Sequence, residues 1–206
     1  MKKFLMAGFL ALSFHQPVPA NVADERDPMT IVNDATRIIL DKLNSNRQSY
    51  VDNPELLREV VQTDLVPLMD LEYSARLILG KSGRDISAEQ LRAFADAMSG
   101  VLVNRYANGL LEFKAEEQME VLPMKGKNTE KLTRVRTRIK LPSGAYAPVD
   151  YAFRMTDQGW KAFDVTVEGI SYVLTFRNQI SPRVEQDGID KVTADILAGN
   201  VKLNEE

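Results

Sequence analysis

The chain has 206 residues, 44% of them apolar, with no cysteine, a single histidine and a formal net charge of −3. Without cysteine there is neither a disulfide nor a thiolate nucleophile, so one hydrophobic core must stabilise the fold by itself. An acidic chain with no basic tail argues against nucleic acid as a partner.

The first residues have the three parts of an export signal. Lys2 and Lys3 are positive, residues 4–14 are apolar apart from Gly8 and Ser13, and Pro17-Val18-Pro19-Ala20 supplies a break and small residues for cleavage. The apolar stretch is shorter than the roughly 20 residues a membrane-spanning helix requires. Residues 1–20 are therefore expected to be a signal peptide and residues 21–206 a single exported domain, with no later segment apolar enough to cross a bilayer. No Cys follows the cleavage site, which rules out anchoring through a lipidated cysteine. Cleavage also removes His15, the lone histidine. Carboxylates, Lys, Tyr, Ser and Thr then remain for any catalysis, nearly all zinc, copper and haem sites are excluded, and no cofactor is expected.

Asp27-Pro28 reads as an N-cap followed by proline at the first helical position. Ile31, Val32, Ala35, Ile38, Ile39 and Leu43 follow as one apolar stripe. Asn53-Pro54 repeats the start signal ahead of Leu56, Leu57, Val60, Val61 and Leu65, and Pro67 is expected to break or kink that helix. A third short helix is predicted over 71–79, closed by Gly80. Ser87 and Gln90 form a capping box for the longest stripe, which runs from Leu91 through Phe94, Met98, Leu102 and Tyr106 to Phe113.

The period then changes from helical to two. In 132–141 the odd positions are Thr133, Val135, Thr137, Ile139 and Leu141, while Arg134, Arg136, Arg138 and Lys140 alternate with them. Pro142-Ser143-Gly144 turns the chain into a strand marked by Val149, Tyr151, Phe153 and Met155. Asp157-Gln158-Gly159 turns it again into one marked by Phe163, Val165 and Val167. Residues 118–122 add a first strand. Helical pattern resumes at Ile170 and again over 188–197. The expected class is α+β: a curved four-stranded antiparallel sheet wrapped by helices.

Residues 160–177 read W-K-A-F-D-V-T-V-E-G-I-S-Y-V-L-T-F-R. This run resembles the W-x-x-x-D-v-x-v-E-G-v-S-l-v-x-x-x-R signature of the MlaC, or toluene-tolerance, family. Leu79-Gly80, Ser87-Ala88-Glu89-Gln90 with Phe94, and Tyr106-Ala107 are similar to further segments of that family. The resemblance spans about residues 28–200. It implies an NTF2-like cone around a deep apolar cavity and a periplasmic protein that binds glycerophospholipid. It also implies transient partners: an outer-membrane lipoprotein–porin complex and an inner-membrane MCE-domain ABC transporter, between which lipid moves to maintain outer-membrane asymmetry. Ile170 stands where that family often has Val, and residues 81–84 lack the aromatic common there.

On that reading the candidate cavity wall is Met98, Leu102, Tyr106, Tyr151, Phe153, Phe163, Val165, Val167, Ile170 and Val173, all of which also suit an ordinary core. Met69, Met98, Met119, Met124 and Met155 are flexible enough to adapt to varied acyl chains. Arg177 and Arg136 are candidates for head-group or partner contact. Alternatively, Arg177 pairs with Asp164 or Glu168 to fix the sheet-to-helix corner, and the Arg136 row is a solvated face. At that corner Gly169 is expected to take a positive φ and Ile170 to begin a helix. An enzyme reading pairs Asp150, Asp164 or Glu168 with Tyr151 or Tyr172, as in ketosteroid-isomerase chemistry, but no nucleophile–base–orienter set is visible. A carrier for another lipid is the remaining alternative.

Overall fold

A computed structural model describes residues 26–113, 118–123, 129–141 and 143–201, without the side chain of Tyr106. The signal peptide expected at 1–20, Met124 and the Tyr106 side chain lie outside the described residues.

Helix α1 (Pro28–Asp52) starts where Asp27 accepts hydrogen bonds from the backbone N–H of Met29 at 2.9 Å and of Thr30 at 3.1 Å. The helix bends at Asn46, whose φ of −134° leaves the helical region. Asn53 closes it and caps α2 (Pro54–Val60) by accepting from Glu55 N–H at 3.2 Å. The second helix is shorter than its apolar stripe predicts. From Val61 to Leu65 the chain widens into a π-helical turn, then tightens into a 3-10 turn at Val66–Leu68. Pro67 is the cause: it has no N–H to donate, and its ring crowds the carbonyl four residues earlier.

Asp70 caps α3 (Leu71–Leu79) through Tyr73 N–H at 3.0 Å. Ser87 and Gln90 form the expected reciprocal capping box at the start of α4 (Ala88–Tyr106), at 3.1 and 3.0 Å. Beyond α4 the stripe continues as a 3-10 turn at Ala107–Glu112. Arg47 on α1 donates to the carbonyls of Leu111 and Phe113 and so satisfies that helix end.

The sheet is antiparallel and has five strands rather than four, in the order β1 (Met119–Val121), β2 (Leu132–Lys140), β3 (Tyr146–Thr156), β4 (Gly159–Val167), β5 (Ile170–Ser171). The fifth strand corrects the expected corner. Glu168 and Gly169 take φ of 50° and 87°, a two-residue hairpin turn with both residues left-handed. The chain therefore reverses and pairs Ile170 with Val167. Helix α5 (Tyr172–Asp187) begins two residues later than predicted, capped by Ser171. Gly188, at φ 80°, separates it from α6 (Ile189–Leu197).

Apolar burial divides into three clusters. Leu79, Leu91, Phe94, Ile180 and Val192 join α3, α4, α5 and α6. Leu43 and Leu57 join α1 and α2 to the end of α4. Ile31, Val135 and Phe153 join the start of α1 to the sheet. Among the described residues no helix is long and apolar enough to cross a membrane.

A polar seam ties α3 to the sheet. Met69 bridges Ala162, Asp70 N–H donates to Ala162 O at 2.7 Å, and Ser74 Oγ donates to Phe163 O at 2.7 Å. Arg154 pairs with Asp70 while its guanidinium lies 4.4 Å from the Tyr73 ring centroid. Asp70 thus serves two partners, a helix cap and a cation. Asp70→Ala should lower stability by about 1–3 kcal/mol, because it removes a cap and leaves Arg154 without its carboxylate. Asp70→Asn, which keeps a capping oxygen, should lose less; urea unfolding of both variants checks the order.

Candidate functional site

The three apolar clusters leave unfilled space between them. A cavity of about 490 Å³ lies between the inner side of the sheet and α1, α3, α4, α5 and the irregular stretch 61–71. That volume falls within the range of about 300–1,000 Å³ usual for ligand sites. Its wall is overwhelmingly apolar, which suits an apolar ligand.

The wall is built from both periodicities. On β2 the inward side gives Ile139 to the wall, with Val135 and Thr137 fully buried beside it and Thr137 Oγ1 donating to Val149 O at 2.6 Å. On β3 the inward positions include Tyr151 and Phe153, paired with Val135 and Thr133. Between β3 and β4 the register slips at Ala152/Phe153, so Ala162 and Phe163 together oppose Phe153. A bulge of this kind bends the strand and puts both side chains on the wall.

Seven of the predicted wall residues meet there: Met98, Leu102, Tyr151, Phe153, Phe163, Val165 and Val173. Val167 and Ile170 do not. Val167 is half-buried at the end of β4, and Ile170 is 50% exposed on β5, because the hairpin turn carries it off the inner face. Of the methionines, Met69, Met98 and Met119 line the cavity, whereas Met155 is 40% exposed.

The two predicted cations also lie off the wall. Arg136 is half-buried on the outer side of β2, opposite Asp150. Its row is partly neutralised: Arg134 lies 3.7 Å from Asp150, and Arg138 pairs with Glu120 at 2.5 Å beneath a Tyr146 ring 4.3 Å away. Arg177 does not pair with Asp164 as the corner suggested. Asp164 is instead committed to the start of α5, accepting from Ser171 Oγ at 2.6 Å and Val173 N–H at 3.1 Å. The Arg177 guanidinium covers Gly80, where an added Cβ would approach Nε to 3.0 Å. Gly80 sits at φ 57°, so both backbone and space demand glycine.

Sequence reasoning missed most of the wall. Ile31, Val32 and Thr36 on α1, and Val61, Leu65 and Leu68 in the irregular stretch, all border the cavity. Their helical spacing showed a hidden face without showing what hides it. The carboxylates of the enzyme reading are dispersed: Asp150 is on the outer side of the sheet, Asp164 caps a helix and Glu168 sits in the hairpin turn. Among the described residues no three His, Cys, Asp or Glu gather to hold a metal.

Comparison with known proteins places this architecture. The family model described as MlaC protein matches residues 33–197. The chain belongs to the MlaC family. One MlaC-family relative is the toluene tolerance protein ttg2D of Pseudomonas putida, 28% identical over 204 residues, which cover 98% of this chain and 93% of the relative. Another is the intermembrane phospholipid transport system binding protein MlaC of Haemophilus influenzae, 24% identical over 171 residues, covering 81% and 78%. The fold is shared with a phospholipid-binding protein from Ralstonia solanacearum, solved in complex with a phospholipid. The TM-score is 0.72 at 19% identity, covering 83% of this chain and 99% of that one.

Within this MlaC-family wall, burial pushes the Tyr151 phenol up to about 12. Below about pH 10 the phenol is neutral in both folded and unfolded chains and contributes no pH dependence. Between about 10 and 12 the unfolded chain ionises while the folded one does not, so stability falls as pH rises. Tyr151→Phe should remove that component; denaturant midpoints for both proteins across pH 9–11 should diverge only at the alkaline end.

Proposed function

We propose that the protein is a non-catalytic carrier of glycerophospholipid in the periplasm. Its single domain, residues 21–206, follows an export signal at 1–20. It takes lipid from an outer-membrane lipoprotein–porin complex or delivers it to one, exchanges it with an inner-membrane MCE-domain ABC transporter, and so maintains outer-membrane lipid asymmetry. The observation that carries this reading is the apolar cavity of about 490 Å³ in an MlaC-family fold. The names of the relatives, one a phospholipid transport binding protein and one a phospholipid complex, support the cargo.

Energetics support the partners. Burying a methylene contributes about 0.8 kcal/mol, so about thirty methylenes represent over 20 kcal/mol gross. That reaches the ceiling of roughly 18–21 kcal/mol for non-covalent binding. A lipid held this way leaves slowly by itself, and transfer complexes at each membrane supply the exit.

Protein exported to the periplasm and purified without detergent should carry glycerophospholipid when analysed by mass spectrometry. Repeated preparations free of lipid, or holding a small polar metabolite, would overturn the reading. Exchange assays should show little head-group preference, since Arg136 and Arg177 are off the wall; a preference of about tenfold for one head group contradicts this.

Val165 borders the cavity, and a carboxylate there faces hydrocarbon. Val165→Glu should remain folded by circular dichroism and lose its lipid. Ile170→Glu, on an exposed strand, should keep its lipid. The reverse pattern would move the binding site to the β5 corner.

A further inference from the structure

The polar groups on the cavity wall are unequal. Thr36 Oγ1 donates to Val32 O at 2.8 Å. Ser74 Oγ donates to Asp70 O at 2.9 Å and to Phe163 O. Asp164 is committed to Ser171 and Val173. Ser99, buried on α4, and the half-buried Tyr151 line the same wall without a side-chain hydrogen bond among the described residues, and of the two only Tyr151 reaches in from the sheet with a phenol. Tyr151 sits mid-strand on β3, paired across the sheet with Val135 on one side and Val165 on the other. Desolvation by burial is the cause of its raised pKa, so the phenol keeps its proton and remains a donor at physiological pH.

A hydroxyl that faces an apolar cavity with no protein partner favours any ligand that presents an acceptor there. Acyl methylenes present none. A phosphate presents several but brings negative charge into a cavity whose described wall has no Lys or Arg and whose charged residue is Asp164. The neutral acceptor in a glycerolipid is the ester carbonyl that joins chain to glycerol.

We propose that Tyr151 Oη–H donates a hydrogen bond to an acyl-ester carbonyl of the bound lipid, setting how deep the chains enter and selecting ester-linked over ether-linked lipid. This rests on the carrier reading above. Tyr151 then reads an uncharged acceptor shared by diacyl glycerophospholipids of every head group. Selectivity lies in the linkage, which the wall can contact, and the charged head group is left to solvent.

The test presents purified protein, first stripped of its own lipid, with vesicles holding equal amounts of diacyl and dialkyl phosphatidylcholine of matched chain length, followed by mass spectrometry of the recovered lipid. The ester form should exceed the ether form by about fivefold on the wild-type protein, on the order of 1 kcal/mol. In Tyr151→Phe, which keeps the ring and loses the hydroxyl, the ratio should fall to about unity whatever the total load. A second readout uses lipid labelled with carbon-13 at the ester carbonyl. Its infrared stretch should lie at lower frequency on the wild-type protein than on Tyr151→Phe. Equal ratios in both proteins, or an unshifted carbonyl, overturn the inference while leaving the carrier reading intact. Failure of the wild-type protein to load either lipid overturns both.

Discussion

The structure depends on keeping a sheet and a set of helices apart. Apolar surfaces facing each other across water collapse unless something else holds their spacing. Here the seam between α3 and β4 holds it. Ser74, Asp70 and Met69 bond to the backbone of Ala162 and Phe163, and Arg154 locks Asp70 from the neighbouring strand. These bonds are directional, so they fix a distance as well as a contact, which dispersion alone does not. The Tyr73 ring meets Phe163 edge-on at 5.1 Å, and Phe163 continues directly into the cavity wall.

Division of the core follows from that spacing. The cluster of α3, α4, α5 and α6 contains Phe94, the largest side chain with no exposure, and holds much of the buried apolar surface. Folding can rest on this bundle while the cavity remains unfilled. The irregular stretch 61–71 closes the opposite side. A π-helical turn followed by a 3-10 turn and an extended residue gives Val61, Leu65, Leu68 and Met69 to the wall, a placement that one straight helix would spread over several faces. Pro67 enforces the irregularity.

Charge is arranged by exclusion. The arginines of β2 face outward against Asp150 and Glu120, and Arg177 lies over Gly80, so the interior has carboxylate and hydroxyl but no cation among the described residues. An interior of this kind suits uncharged chains and is indifferent to a head group that stays outside. Asp164 illustrates how a residue inside the family signature acts: it satisfies the first turn of α5 and fixes where Tyr172 and Val173 enter the wall.

Much of this was legible in the residues. Asp27-Pro28, Asn53-Pro54 and the Ser87–Gln90 box marked three helix starts, because capping is local and depends on residues within one turn. The alternation over 132–141 put Val135 and Thr137 inside and the arginines outside, because successive residues of a strand must face opposite ways. Run 160–177 was enough to indicate the family, and the absence of cysteine narrowed the chemistry. Four things required tertiary structure: which residues face the cavity that the resemblance implied, the contribution of α1 and 61–71, the placement of Arg177 on Gly80, and the isolation of Tyr151. The physical reason is common to all four. Periodicity reports that a side chain avoids bulk water, but a packed core and an empty cavity avoid it equally well. Only the positions of elements distant in sequence decide which one a residue faces. Ile170 shows the same limit: its apolar character suggested the interior, and a two-residue left-handed turn at Glu168-Gly169 put it outside.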